Sequence, residues 1–137
     1  MNLDPSAFVA DRELIQALEK RSQPIACDED RVLFRQGDPP TGLYILRKGE
    51  ATLTMESVAG EVVMRMQTTA GSLLGLPGLI GNEPYSLTAI AREGAELGFV
   101  PRDEFAGLML KEPQMSLKVL QVLAAEVRSA RQAMFNL

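Results

Sequence analysis

Residues 32–53, VLFRQGDPPTGLYILRKGEATL, decide the fold. Two apolar runs flank the break QGDPPTG, and a second break, KGE, follows before the next run begins. Short apolar runs bounded by Gly, Pro and Asp mark strands, because a helix needs a longer stretch of 3.6-residue periodicity. The same grammar extends outward from Arg31 to Ala95. RVLF, GLYILRKGEATLTM, EVVMRMQTT and SLTAIA show partial two-residue alternation and are separated by QGDPPTG, KGE, VAGE and GNEP. Strands this short and this evenly punctuated predict a compact antiparallel jelly roll or barrel, which limits exposed sheet edges.

Helical periodicity governs both ends. From Ser6 to Arg21 the apolar residues Phe8, Val9, Leu14, Ile15 and Leu18 recur at helical spacing, with acids early and Lys20 and Arg21 late, as the helix dipole favours. This predicts a short amphipathic helix or helix pair that ends at Pro24. After GFVPRDEF the helical period returns, and Pro113 opens PQMSLKVLQVLAAEVRSARQAMFNL. Leu120, Leu123, Val127, Ala130, Met134 and Leu137 fall at alternating steps of three and four, the a and d positions of a heptad. A second stripe, Met115, Val119 and Val122, lies on a neighbouring face. Two stripes need two surfaces, so the helix is expected to pack on its own roll and on a second copy, making a homodimer. A single core-facing helix of a monomer is the alternative.

Composition removes whole classes of function. The 137 residues are of one-domain length and carry a net charge of −4 with acids and bases interspersed. Counterion release on nucleic acid would contribute little, so no direct nucleic-acid partner is expected. Histidine is absent, which removes the commonest general base and the usual zinc ligand. Cys27 is the only cysteine, which excludes an intrachain disulfide or a multi-cysteine metal site and reads as a buried, inert thiol. No cofactor, no metal and no catalytic residue is predicted, and a jelly-roll enzyme of the cupin type would need a His-rich site that is missing. The N-terminus carries Asp4 and Asp11 where a signal peptide needs cations, and no apolar run approaches membrane length. A cytoplasmic, membrane-free protein is the expectation.

The order helix, β-roll with an internal glycine-rich loop, long terminal helix resembles the cyclic-nucleotide-binding domain family. That family includes the sensor half of the catabolite-activator and fumarate–nitrate type regulators. In VLFRQGDPPTGLYILRKGEATL, Gly37 and Asp38 correspond to the family's first turn, Leu43, Tyr44 and Ile45 to core positions and Gly49 to the next turn. AGSLLGLPGLIGNEPYSLTAIA is similar to its phosphate-binding cassette, with Gly71 and Gly75 at the two cassette glycines and Glu83, Pro84, Ser86 and Thr88 in register. The resemblance implies an α+β, mainly β fold. A single domain over 1–137 would comprise an N-terminal helical part at about 6–22, an antiparallel β-roll at 31–100 with its cassette at 71–89, and C-terminal helices at 102–137.

The cassette departs from the family where the ligand would sit. The family's glutamate, which accepts from the ribose 2′-hydroxyl, corresponds to Leu76, and its arginine, which pairs with the cyclic phosphate, to Tyr85. Pro77 has no N–H to offer a phosphate oxygen. Loss of one partner of a buried charged pair typically costs ~3–5 kcal/mol, or roughly two to four orders of magnitude in affinity. Tight cyclic AMP or cyclic GMP binding is therefore not expected. Tyr85 can hydrogen-bond a ligand or pack in the core with its hydroxyl at the surface, and Ser86 keeps the hydroxyl that the family turns toward the phosphate. The long helix closes over the purine in the family, and Ala130 with Ser129 beside it stands at that place here.

The candidate ligand site is thus Gly75, Leu76, Pro77, Gly78, Tyr85, Ser86 and Leu87, and the candidate dimer helix is Leu120 to Leu137 through the stripe named above. The expected role is regulatory: a sensor of a small neutral or apolar ligand, or an interaction module for an effector protein. Weak cyclic-nucleotide signalling and a ligand-independent dimerisation scaffold are the alternatives. The family's transcription regulators continue past the long helix into a DNA-reading winged helix-turn-helix, and this sequence ends at Leu137. A complete protein and a fragment lacking an effector domain both fit.

Overall fold

Turn chemistry and alternation convert the central stretch into antiparallel strands in the computed structural model, which describes residues 3–135. These are β1 (Gln23–Ala26), β2 (Arg31–Phe34), β3 (Gly42–Lys48), β4 (Ala51–Glu56), β5 (Val62–Thr68), β6 (Leu73–Leu74), β7 (Thr88–Ala91) and β8 (Glu96–Pro101). One sheet has the order β1-β8-β3-β6 and the other β2-β7-β4-β5. Their inner faces share a core of Phe34, Leu46, Leu53, Met66, Leu74, Tyr85 and Leu97, together with the buried Cys27. The result is the expected mainly β antiparallel roll. The β3–β4 turn depends on Gly49, whose φ is 86° and whose absent Cβ would lie 2.9 Å from the Ala95 Cα.

Helices cover the outer face of the first sheet. A 3-10 turn (Pro5–Phe8) and α1 (Arg12–Glu19) precede the roll, α2 (Leu76–Gly81) interrupts it, and α3 (Arg102–Lys111) and α4 (Gln114–Phe135) follow it. A second core joins Leu14 and Leu18 of α1, Leu43 and Ile45 of β3, Val100, Phe105 and Leu108, and Met115, Val119 and Val122 of α4. Because β3 has this core on one side and the roll interior on the other, GLYIL reads as a continuous apolar run instead of an alternating one. Lys118 of α4 bridges Asp11 and Glu13 of the α1 start, and Ser129 Oγ accepts the Asp4 N–H at 2.7 Å. These contacts fix the rotation of α4 against the roll. Among the described residues, no helix is long and apolar enough to cross a membrane.

Two boundaries differ from the sequence reading. The sheet begins at Gln23, ahead of residue 31, and Pro24 lies inside β1 instead of ending a helix that already stops at Glu19. β1 is an edge strand paired with β8 alone, the one sheet position that tolerates a residue without an N–H.

The outward stripe of α4 is also displaced. Leu120, Val127 and Met134 are exposed at seven-residue spacing, at 58%, 49% and 62%. Leu123 and Ala130 are half-buried and turn toward the chain's own body, Leu123 against the helical core. Leu117, Ala124 and Arg131 take their places, so the exposed seam runs 117, 120, 124, 127, 131, 134 in steps of three and four. Leu137 lies outside the described residues.

Candidate functional site

The cassette is built around one glycine. β6 delivers the chain to Gly75, which sits at φ 92° at the N-cap of α2. A Cβ there would lie 2.9 Å from the Tyr85 ring, 3.3 Å from Phe34 and 3.4 Å from the Gly42 carbonyl. The absence of a side chain lets loop, turn and ring approach one another. Pro77 falls in the first turn of α2, where a missing N–H breaks no helix hydrogen bond.

Leu76 corrects the sequence reading. It is fully buried and packs in the helical core with Leu43, Leu73 and Leu79, so it does not wall the ligand side of the cassette. As the first residue of α2 it points across the short helix from Pro77 and Gly78, which do face the ligand side.

Tyr85 is a structural pin. Its ring stacks on Phe34, with centroids 4.0 Å apart and planes at 20°. Its hydroxyl donates to the Gly42 carbonyl at 2.7 Å and accepts the Thr41 and Gly42 N–H groups at 3.0 and 3.2 Å. The backbone completes the link, since Tyr85 N–H donates to Asp38 O and Gly37 N–H donates to Tyr85 O, at 2.9 and 2.8 Å. The GDPPTG turn is therefore locked to the cassette from both ends. The hydroxyl lies in the protein interior, not at the surface, and its bonding capacity is filled by main chain.

Between cassette and α4 lies a cavity of about 210 Å³. Gly75, Pro77, Gly78, Tyr85, Ser86 and Leu87 line one side and Val127 and Ala130 the other, with Phe8, Phe34, Leu53 and Met55 between them. The structure thus brings together every residue of the candidate ligand site except Leu76. Ser86 is exposed at the rim. Among the described residues, no cation lines the cavity.

Among the described residues, the one carboxylate on the wall is Glu126. Its Oε2 is sealed from solvent and has no hydrogen-bond partner among the described residues. Removal from water pushes its pKa up to about 8 from 4.5, so the side chain is mostly the neutral acid at neutral pH. An orphaned buried polar group ordinarily costs ~1–3 kcal/mol. Sequence reasoning missed this residue, although a signal existed. The inward stripe Met115, Val119, Val122 continues in steps of four and three to Glu126, Ser129 and Ala133, and an acid in that row is out of place.

The sequence profile described as cyclic nucleotide-binding domain matches residues 24–112. Transcriptional activator protein anr of Pseudomonas aeruginosa is 28% identical over 132 residues, which cover 96% of this chain and 53% of that protein. The chain thus spans about half the length of such curated relatives. Lysophospholipase nte1 of Neurospora crassa is 24% identical over 105 residues, covering 77% of this chain and 7% of that protein. Among solved structures, the Thermus thermophilus Catabolite Activator Protein superimposes with a TM-score of 0.79 at 22% identity, over 96% of this chain and 62% of that one.

Proposed function

This chain belongs to the cyclic nucleotide-binding domain family, and from that membership we propose that it is a regulatory sensing module for a neutral, largely apolar ligand in place of a tightly held cyclic nucleotide. The observation that carries this reading is the cavity between cassette and α4, whose wall is largely apolar and, among the described residues, holds no cation. A cyclic phosphate buried there would find no counter-charge, whereas an apolar ligand gains ~25 cal/mol for each Å² it removes from water. Tyr85, at the place of the family's arginine, has its hydroxyl occupied by Gly42 and Thr41. The size supports a small ligand: 210 Å³ exceeds the ~150 Å³ that holds benzene and falls short of the ~300 Å³ where drug-sized sites begin.

The ligand would touch the cassette and Val127 and Ala130 of α4 together, the condition for biasing how the helix sits on the roll. The signal would leave through the exposed seam of α4, which a second copy of the chain covers in a parallel helix pair. The module acts in the cytoplasm, without catalysis of its own and without direct contact with nucleic acid or membrane, through an effector protein or domain. Isothermal titration with cyclic AMP and cyclic GMP at neutral pH tests the reading. No binding at micromolar or tighter affinity is expected, and such a constant for either nucleotide would overturn it.

A further inference from the structure

Glu126 is unlike everything around it. The side chains that meet it across the cavity, Phe8 of the 3-10 turn, Phe34 of β2, Leu53 and Met55 of β4 and Leu87 of the cassette, carry no charge. Its neighbour in the inward stripe, Ser129, is satisfied by the Asp4 N–H, and the rest of that stripe is apolar. Among the described residues, Glu126 lines this ligand-sized space while its Oε2, closed off from water, has no hydrogen-bond partner. A buried polar group without a partner carries its full desolvation cost, and that cost is removed when a ligand supplies the partner.

We infer that Glu126 is the specificity group of this cavity, and that its carboxyl group pairs with an uncharged ligand of one or two rings whose edge carries a hydrogen-bond donor beside an acceptor, as in an amide or lactam. This rests on the reading of the cavity as a neutral-ligand site and names the class of ligand. A neutral carboxyl offers one O–H donor and one carbonyl acceptor side by side, so an amide edge closes two hydrogen bonds with it and neither partner bears a charge. An ammonium ligand would force the acid to ionise in an apolar surround, and an anion would meet no cation at all. The elevated pKa agrees with this choice, since the acid holds its proton at neutral pH.

The test uses one-ring probes on the whole chain at neutral pH: toluene, benzamide, 2-pyridone, benzylamine and benzoate, titrated by amide chemical shifts. Wild type, Glu126→Gln and Glu126→Leu are compared, the first variant keeping a donor–acceptor edge and the second removing it. Benzamide and 2-pyridone are expected to bind wild type about tenfold more tightly than toluene, the worth of the added hydrogen bonds. That advantage should survive in Glu126→Gln and vanish in Glu126→Leu, which still binds toluene. If toluene binds but the amide probes gain nothing over it in wild type, or if benzylamine leads and loses its lead in Glu126→Gln, the assignment of Glu126 fails while the apolar cavity stands. If no probe binds wild type or Glu126→Leu, the sensing reading falls with it.

Discussion

The Tyr85 hydroxyl donates to the Gly42 carbonyl at 2.7 Å and accepts the Gly42 N–H at 3.2 Å, so one side chain satisfies both main-chain groups of a residue that starts β3. The two residues are 43 positions apart in the chain and join the first turn of the roll to the cassette. A glycine is required at the meeting point, because a Cβ on Gly42 would overlap the Val100 carbonyl and the Phe99 ring. Tyr85, which the family resemblance aligns with a phosphate-pairing arginine, is here a rivet of the fold.

Tyr85→Phe keeps the stack on Phe34 and removes the hydroxyl, leaving the Gly42 carbonyl and two N–H groups unpaired. Urea unfolding should show a loss of ~1–3 kcal/mol, the range for orphaned buried groups. A loss below a few tenths of a kcal/mol would mean that water replaces the phenol and that Tyr85 is free to face a ligand.

Leu76→Glu, the change that would restore the family's ribose contact, should unfold the protein instead. Leu76 is fully buried in the helical core, and an unpaired charge there places the variant in the severe class, on the order of 4 kcal/mol or more. Circular dichroism and thermal melting decide it. A folded variant with wild-type stability would show that Leu76 turns toward the cavity.

Substitutions along α4 should separate association from folding. Val127→Glu and Leu120→Glu place charges on the exposed seam and should convert a dimer to a monomer in sedimentation, with the secondary structure kept. Leu123→Glu, which presses on the helical core, should lower the melting temperature. A wild type that sediments at single-chain mass at micromolar concentration, or a Val127→Glu that remains dimeric, would discard the seam.

Glu126 predicts a pH dependence with a definite sign. Its folded pKa, about 8, lies above the 4.5 of the free side chain, so between those values the folded state holds the proton more tightly than the unfolded state does. Stability from this residue is complete below about pH 4.5 and is lost as pH rises through about 8, by on the order of 5 kcal/mol. Melting curves of wild type and Glu126→Gln between those limits isolate the effect. The variant should gain on wild type steadily as pH rises, and parallel curves would mean that the carboxyl is solvated.

The roll and the long helix are legible in the sequence because their causes are local. Gly37 and Gly49 turn the chain through their own backbone angles, two-residue alternation marks β5, and the step of three and four marks α4. Cassette residues Gly75, Pro77, Tyr85, Ser86 and Leu87 are likewise found by their order along one loop. What only the tertiary structure decided is direction. Whether Leu123 and Ala130 or Leu117 and Ala124 face outward depends on how α4 is rotated, and both pairs are apolar, so periodicity accepts either. That rotation is set by contacts across the fold, Ser129 with Asp4 and Lys118 with Asp11, at separations of 125 and 107 residues. The same rotation turns Glu126 into the cavity, and the short span of α2 turns Leu76 away from it. Local chemistry determines which elements form, while the side of each helix that meets a ligand is a property of packing that no short window of sequence contains.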